Sequence, residues 1–313
     1  MELVRRGLVL SPDDNISAIF NSGASKYDGY VLLFPRVITR DAYESYISSI
    51  GCAQSTDGRN FTLSCTTFIQ SEHSYENQGC EDPRITKLED EYYITYTAVS
   101  NADGNRHVRS YVPGLASTKD FSSVRKHGPM FPDKDKDVVV FPEDINGKVA
   151  VLHRVEPDIQ IVYYKDLENL KAGHDAAFWK EYLMDIGRHT VLQRQFEWES
   201  MKIGAGPPPI KTEQGWLLIY HGVDNNRVYS TGAALLDHDD PQKVIARSPY
   251  PILAPATDYE MKGDVNNVVL AAGAVELDNE LFVYYGAGDK RCALATCNRD
   301  ALVTYLLEHR NVR

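Results

Sequence analysis

The sequence predicts an all-β chain folded as a five-bladed β-propeller, and three observations carry that expectation. One strand-like run recurs five times along the chain. Each copy has a polar turn before it and a second strand of small residues after it. Helical periodicity is sparse. Repeats that each hold several strands are the signature of radial architectures, in which one unit forms one blade and neighbouring blades bury each other's faces.

The five runs are "GYVLLFPR" (29–36), "EYYITYTA" (91–98), "GKVAVLHR" (147–154), "GWLLIYHG" (215–222) and "ELFVYYGA" (280–287). All are dense in β-branched and aromatic residues, which suit a pleated, buried surface. The turns that precede them, "KYDG", "LEDE", "DING", "TEQG" and "LDNE", are rich in residues that reverse a chain. From start to start the runs lie 62, 56, 68 and 65 residues apart. The second strands follow in "IGCAQSTDG", "GLASTKDF", "IVYYKDLEN", "GAALLDHDD" and "CALATCNRD". Five such units account for nearly the whole chain, so residues 1–313 read as a single catalytic domain with short terminal extensions. The alternative, a mixed β-sandwich, needs the similarity of the runs to be accidental. Two helices are expected, at 175–184 and 299–309. The recurring runs are expected to be the innermost strands, with their ends converging on one mouth of a central channel.

Bulk composition narrows the function. With 43% hydrophobic and 25% charged residues the chain is in the range of soluble globular proteins. A net charge of -11 argues against a general nucleic-acid or anionic-membrane surface and favours a neutral, polar ligand. An anion site would need a local basic cluster. The five cysteines (Cys52, Cys65, Cys80, Cys292 and Cys297) form no CxxC pair, which points to a reducing, cytoplasmic setting. The apolar stretch near residue 8 is too short for a signal peptide, and no run reaches transmembrane length. A homo-oligomer is left open.

The polar residues that end or precede these strands differ from blade to blade: Arg36, Glu81-Asp82, His153-Arg154, His221 and Asp289. A purely structural repeat would tend to place similar residues there, so these read as a site. Carboxylates, arginines and the 19 tyrosines fit carbohydrate. Asp82, in "GCEDPRITKL", is the candidate acid, because burial behind Pro83 and the neighbouring Glu81 would both favour its protonated form. Its competing reading is an ion pair with Arg84. Lys136, Arg154, Lys202, His221 and Tyr229 fall on consecutive units and together could hold an oxyanion such as phosphate. A bound phosphate is itself a nucleophile and would remove the need for the second carboxylate that a glycosidase uses. "GAGPPP" (204–209) is no phosphate loop, since its prolines forbid the helix such loops require. Its glycines read as points of close backbone approach. No spacing suggests a protein-built metal site.

The motifs "GCEDPRITKLEDEYYITYTA", "DVVVFPEDINGKVAVLHR", "MKIGAGPPPIKTEQGWLLIYHGV", "YSTGAALLDHDDP" and "LFVYYGAGD" resemble glycoside hydrolase family 130, the β-mannoside phosphorylases. The likeness runs from "FNSGA" near residue 20 to "YYGAGD" near 289. It implies a five-bladed propeller and inverting phosphorolysis of a β-mannoside to α-mannose 1-phosphate, with inorganic phosphate as co-substrate and no cofactor. It further implies that Asp82 is the general acid, passing its proton through the 3-hydroxyl of the mannose. Asn21, Ser22, Arg36, Glu81 and Asp289 would hold the mannosyl ring, and Lys136, Arg154, Lys202, His221 and Tyr229 the phosphate. Asp137 departs from the pattern, because a carboxylate beside phosphate repels it unless it turns away or is paired. Glu143 or Glu199 would be the base if water replaced phosphate. The "EDPR" form leans towards β-1,2 over β-1,4 linkage. A β-mannosidase and a non-catalytic glycan-binding propeller are the rival readings. Stretches 37–50 and 99–112 are expected to frame the acceptor sugar.

Overall fold

The computed structural model describes residues 1–101 and 109–310, and it is a ring of five antiparallel sheets. Strand β1 (Val4–Leu10) comes first in the chain but belongs to the last sheet. The first blade holds β2 (Ile16–Tyr27), β3 (Tyr30–Thr39), β4 (Ser49–Ser55) and β5 (Thr62–Ile69). The second holds β6 (Gly79–Leu88), β7 (Glu91–Asn101), β8 (Arg109–Thr118) and β9 (Arg125–Pro129). The third holds β10 (Lys136–Val140), β11 (Val149–Arg154), β12 (Ile159–Tyr164) and β13 (Thr190–Leu192). The fourth holds β14 (Lys202–Ala205), β15 (Ile210–Thr212), β16 (Gly215–Val223), β17 (Tyr229–Leu236) and β18 (Val244–Arg247). The fifth is β19 (Val269–Leu277), β20 (Glu280–Ala287) and β21 (Arg291–Asn298), completed by β1, which pairs with β21 and closes the ring. Joining the first strand to the last blade gives the fifth sheet its fourth strand from the far end of the chain.

The fold is the five-bladed propeller expected, with one correction. The recurring runs are the second strand of each blade: β3, β7, β11, β16 and β20. The innermost positions belong to β2, β6, β10, β14 and β19, which touch one another around the axis. The physical reason lies in burial. A second strand is covered on both faces by neighbouring blades, so it reads as continuous apolar residues. In β16, Leu217 and Ile219 pack with Leu281 and Val283 of the fifth blade, whereas Trp216, Leu218 and Tyr220 pack with Leu152 and Ile161 of the third. An innermost strand faces the channel and mixes polar with apolar residues, so periodicity hides it. Helices α2 (Ala176–Met184) and α4 (Arg299–Glu308) match the two expected; α1 (Leu167–Ala172) and α3 (Asp258–Met261) are short turns that periodicity misses.

Three blades share a buried polar knot. Glu76, Glu199 and Glu260 end the short segments "SYE", "EWE" and "DYE" before the innermost strand, and all three are fully buried. Each accepts two backbone amides of its own turn: Glu72 and His73, Gln195 and Phe196, Ala256 and Thr257. Each also accepts the hydroxyl of a tyrosine on the second strand: Tyr96 at 2.9 Å, Tyr220 at 3.2 Å and Tyr285 at 2.7 Å. Each carries a cation: Lys126, Arg247 and Arg5. A buried carboxylate is tolerated only when paired and hydrogen-bonded in this way. The knots pin each entry turn to its own sheet.

Candidate active site

The innermost strands are bulged where they pass the channel mouth. Register slips between Phe20 and Gly23, between Glu81 and Arg84, and between Lys136 and Val139. At these bulges Asn21, Asp82 and Asp137 take positive φ of 47°, 50° and 55°. Asn and Asp are the side chains that tolerate this conformation best, and a bulge re-aims a side chain out of the ladder. Asp289, after β20, has φ 48°. Four polar side chains thus point into one space from four positions on the ring.

That space is a cavity of about 240 Å³. Asn21, Arg36, Asp82 and Asp289 line one side; Lys136, Arg154, Lys202, His221 and Tyr229 line the other. Residues up to 268 apart in sequence, from Asn21 to Asp289, meet here as expected. Ser22 does not: it is fully buried, with its hydroxyl 2.8 Å from the Cys292 Sγ. The bulge turns Asn21 to the cavity and so turns its neighbour to the core. Glu81 does not line the cavity; it is buried 2.8 Å from Arg36 Nη2 and 3.6 Å from Lys136 Nζ.

On the acid side, Asp82 Oδ1 accepts from Asn21 Nδ2 at 2.9 Å and lies 3.7 Å from Arg36 Nη1. The competing ion pair with Arg84 is absent. Arg84 donates to the backbone oxygen of Asp82 and to Gly206 O, both at 2.7 Å, and turns its far nitrogen to Asp137. Asp82 therefore keeps a carboxyl oxygen for a ligand. Asp289 is pushed up to about 7, by burial first and then by the Asp82 charge, with Arg36 opposing. Two carboxyls that face one sugar-sized space share their charge in this way. Arg36 is held by Glu81 and Ser48 and lies over the rings of Phe20 and Tyr46.

On the basic side, Asp137 proves to be an anchor. Its Oδ2 is 2.7 Å from Arg154 Nη1 and 3.5 Å from His221 Nε2, and its Oδ1 is 3.4 Å from Arg84 Nη2. Burial raises its pKa, but Arg154, His221 and Arg84 more than offset this and hold it well below the usual carboxylate range. The repulsion expected from Asp137 is met by pairing. Gly204 makes room for this cluster: a Cβ there would come within 2.2 Å of Asp137 Oδ2 and 2.8 Å of Arg154 Nη1. The imidazole of His221 is pushed down to about 4, by burial first and then by Arg154, Arg84 and Lys202 against Asp137, so it is neutral at pH 7. Its Nε2 faces both the Arg154 Nη1 donor at 3.3 Å and the Asp137 Oδ2 acceptor at 3.5 Å. Buried Arg154 Nε and His221 Nδ1 have no partner. Lys136, Arg154 and Lys202 give this part of the cavity the cationic lining that an anion site needs.

Three lining residues, Tyr111, Glu156 and Leu270, were not singled out in the sequence. Tyr111, whose ring is 4.9 Å from Lys136 Nζ, is in the tyrosine-bearing stretch 99–112, of which residues 102–108 are outside the described residues. Glu156 lines the basic side and had no signal beyond its nearness to Arg154. The two alternative bases are elsewhere. Glu199 is locked by Arg247, Tyr220 and two amides, and Glu143 is on the surface with Lys211. His153 is fully buried between Asp135 and Tyr182 and supports the third blade. In stretch 37–50, Tyr43 and Tyr46 donate to Asp264, which also holds Lys290 at 2.8 Å, so this loop is fastened at the cavity rim. Among the described residues no cluster of three metal-ligating side chains occurs, and no helix is long and apolar enough to cross a membrane.

Residues 6–308 match the glycoside hydrolase 130 family model, described as beta-1,4-mannooligosaccharide phosphorylase. The chain is 42% identical over 255 residues to a beta-1,2-mannobiose phosphorylase of Thermoanaerobacter sp. (strain X514), covering 82% of this chain and 78% of the relative. It is 38% identical to a 1,2-beta-oligomannan phosphorylase of the same organism, covering 87% of both. The solved beta-1,2-mannobiose phosphorylase of Listeria innocua, in complex with beta-1,2-mannobiose, superposes with a TM-score of 0.81 at 29% identity, covering 95% of this chain and 96% of the other.

Proposed function

The chain belongs to glycoside hydrolase family 130, and from that premise we propose that it is an inverting phosphorylase that cleaves β-1,2-linked mannobiose or oligomannan with inorganic phosphate. The observation that carries the reading is the division of the cavity. A carboxyl with a free oxygen, Asp82, shares one sugar-sized cavity with three cations, Lys136, Arg154 and Lys202.

In this reading Asn21, Arg36 and Asp289 hold the mannosyl ring, with Glu81 fixing Arg36 and Lys136. Lys136, Arg154, Lys202, His221 and Tyr229 bind phosphate. A phosphate oxygen attacks C1 from the face opposite the glycosidic oxygen. The C1–O bond breaks, and the departing oxygen takes the Asp82 proton, relayed by the 3-hydroxyl of the mannose. Inversion gives α-mannose 1-phosphate. Buried cationic donors suit the transition state because they are oriented before it forms. Phosphate is a co-substrate, and no cofactor enters the reaction. The setting is cytoplasmic in this proposal, in keeping with five cysteines unpaired among the described residues.

Incubation with β-1,2- and β-1,4-mannobiose, with and without phosphate, tests the proposal. Mannose 1-phosphate formed only with phosphate, and faster from the β-1,2 substrate, is the expected result. Free mannose at the same rate without phosphate would make the protein a β-mannosidase. Sugar binding without turnover would make it a glycan-binding propeller.

A further inference from the structure

We propose that Glu156 is the resident counter-anion of the phosphate site: its carboxylate occupies the cations while phosphate is away, leaves when phosphate enters, and so sets the affinity for phosphate. The proposal rests on the phosphorylase reading above and deepens it.

Glu156 Oε1 is 2.8 Å from Lys202 Nζ and 3.5 Å from Arg154 Nη2. Both cations line the cavity, and Glu156 lines it with them. The three side chains differ in freedom. Glu156 is 50% exposed, Lys202 18% and Arg154 5%. The carboxylate can swing into water, where its charge is solvated, while the cations stay. Asp137, the other carboxylate on Arg154, cannot do the same. Its side chain is 7% exposed and Arg154, Arg84 and His221 surround it. The two anions on the basic side thus have separate tasks. Asp137 orients the arginines permanently. Glu156 screens Lys202 and Arg154 from each other and yields to a better acceptor. Phosphate is such an acceptor, because its several oxygens can accept from Lys202 and Arg154 at once.

The test compares wild type, Glu156→Gln and Glu156→Asp. Steady-state kinetics on β-1,2-mannobiose give separate KM values for phosphate and for the sugar. Calorimetry measures binding of inorganic phosphate to each protein without sugar. Glu156→Gln is expected to lower the phosphate KM and the phosphate dissociation constant roughly tenfold, the scale on which 1.4 kcal/mol acts. The sugar KM should move far less, and Glu156→Asp, which keeps the charge, should return towards wild type. A merely structural role would shift both KM values together. A phosphate dissociation constant that is unchanged or higher in Glu156→Gln overturns the proposal. Absence of phosphorolysis in wild type on every β-mannoside would instead overturn the phosphorylase reading, and the calorimetric comparison would still decide the role of Glu156.

Discussion

Asp82 and Glu199 are both acids at the entry to a blade, both within reach of an arginine, and their surroundings are opposite. Glu199 is fully buried, and both of its oxygens are used by amides, Tyr220 and Arg247. Asp82 sits on a bulge with positive φ, accepts one hydrogen bond from Asn21, and keeps an oxygen towards the cavity. The same contrast separates the knots at Glu76, Glu199 and Glu260 from the ring of bulges. In the knots both oxygens of each glutamate are satisfied within the chain, and the cluster serves stability. Around the bulges, Asp82 keeps a carboxyl oxygen towards a cavity that Lys136, Arg154 and Lys202 also line. Satisfaction of the group, more than its charge, marks function.

Substitutions in the two regions should therefore separate activity from stability. The largest effect is expected from Asp82→Asn. Losing a positioned acid typically removes about 10²–10⁴ of the rate, and phosphorolysis assays beside a melting curve should show that loss with little change in Tm. A large fall in Tm would move Asp82 into the structural class. Glu199→Ala is the mirror experiment. Breaking a buried pair leaves Arg247 uncompensated and costs about 3–5 kcal/mol of stability. Denaturant unfolding measures it, and the phosphate KM of the folded fraction should hold. Arg154→Ala comes next: losing hydrogen bonds to a charged group costs about 1.5–3 kcal/mol, read as a rise in phosphate KM.

The remaining test is a pH dependence at Asp289, read in stability alone. Its folded-state pKa, about 7, stands above its ordinary 3.8. The folded form thus binds a proton that the unfolded chain has already released, so this contribution to stability is full below about 3.8 and is lost as pH rises through about 7. Asp289→Asn should raise Tm relative to wild type at pH 8 and leave it nearly equal at pH 4. An equal shift at both pH values would show that Asp289 carries no such strain.

Much of the site was legible because the repeats differ where the site is. Arg36, Asp82, Arg154, His221 and Asp289 end, precede or follow runs that otherwise agree, and all five line the cavity. Ser22 was misplaced because a bulge decides which of two neighbours faces the channel, and hydrophobic pattern does not register a bulge. Glu199 looked available as a base because its partners, Tyr220 and Arg247, are 21 and 48 residues away. The knots had a sequence trace all along: the same tyrosine position in the second, fourth and fifth runs, and an aromatic–Glu pair before each innermost strand.

What the sequence by itself determined was the set of strands, their grouping into five blades and the chemical types of the polar residues, because these follow from neighbours along the chain. Which strand stands innermost, which acid is satisfied and which cation is left wanting an acceptor were decided only by the tertiary structure. Those properties depend on partners far apart in sequence, as when Arg5 closes the Glu260 knot across 255 residues. A hydrogen bond is satisfied in space, and the order of residues along the chain does not contain that distance.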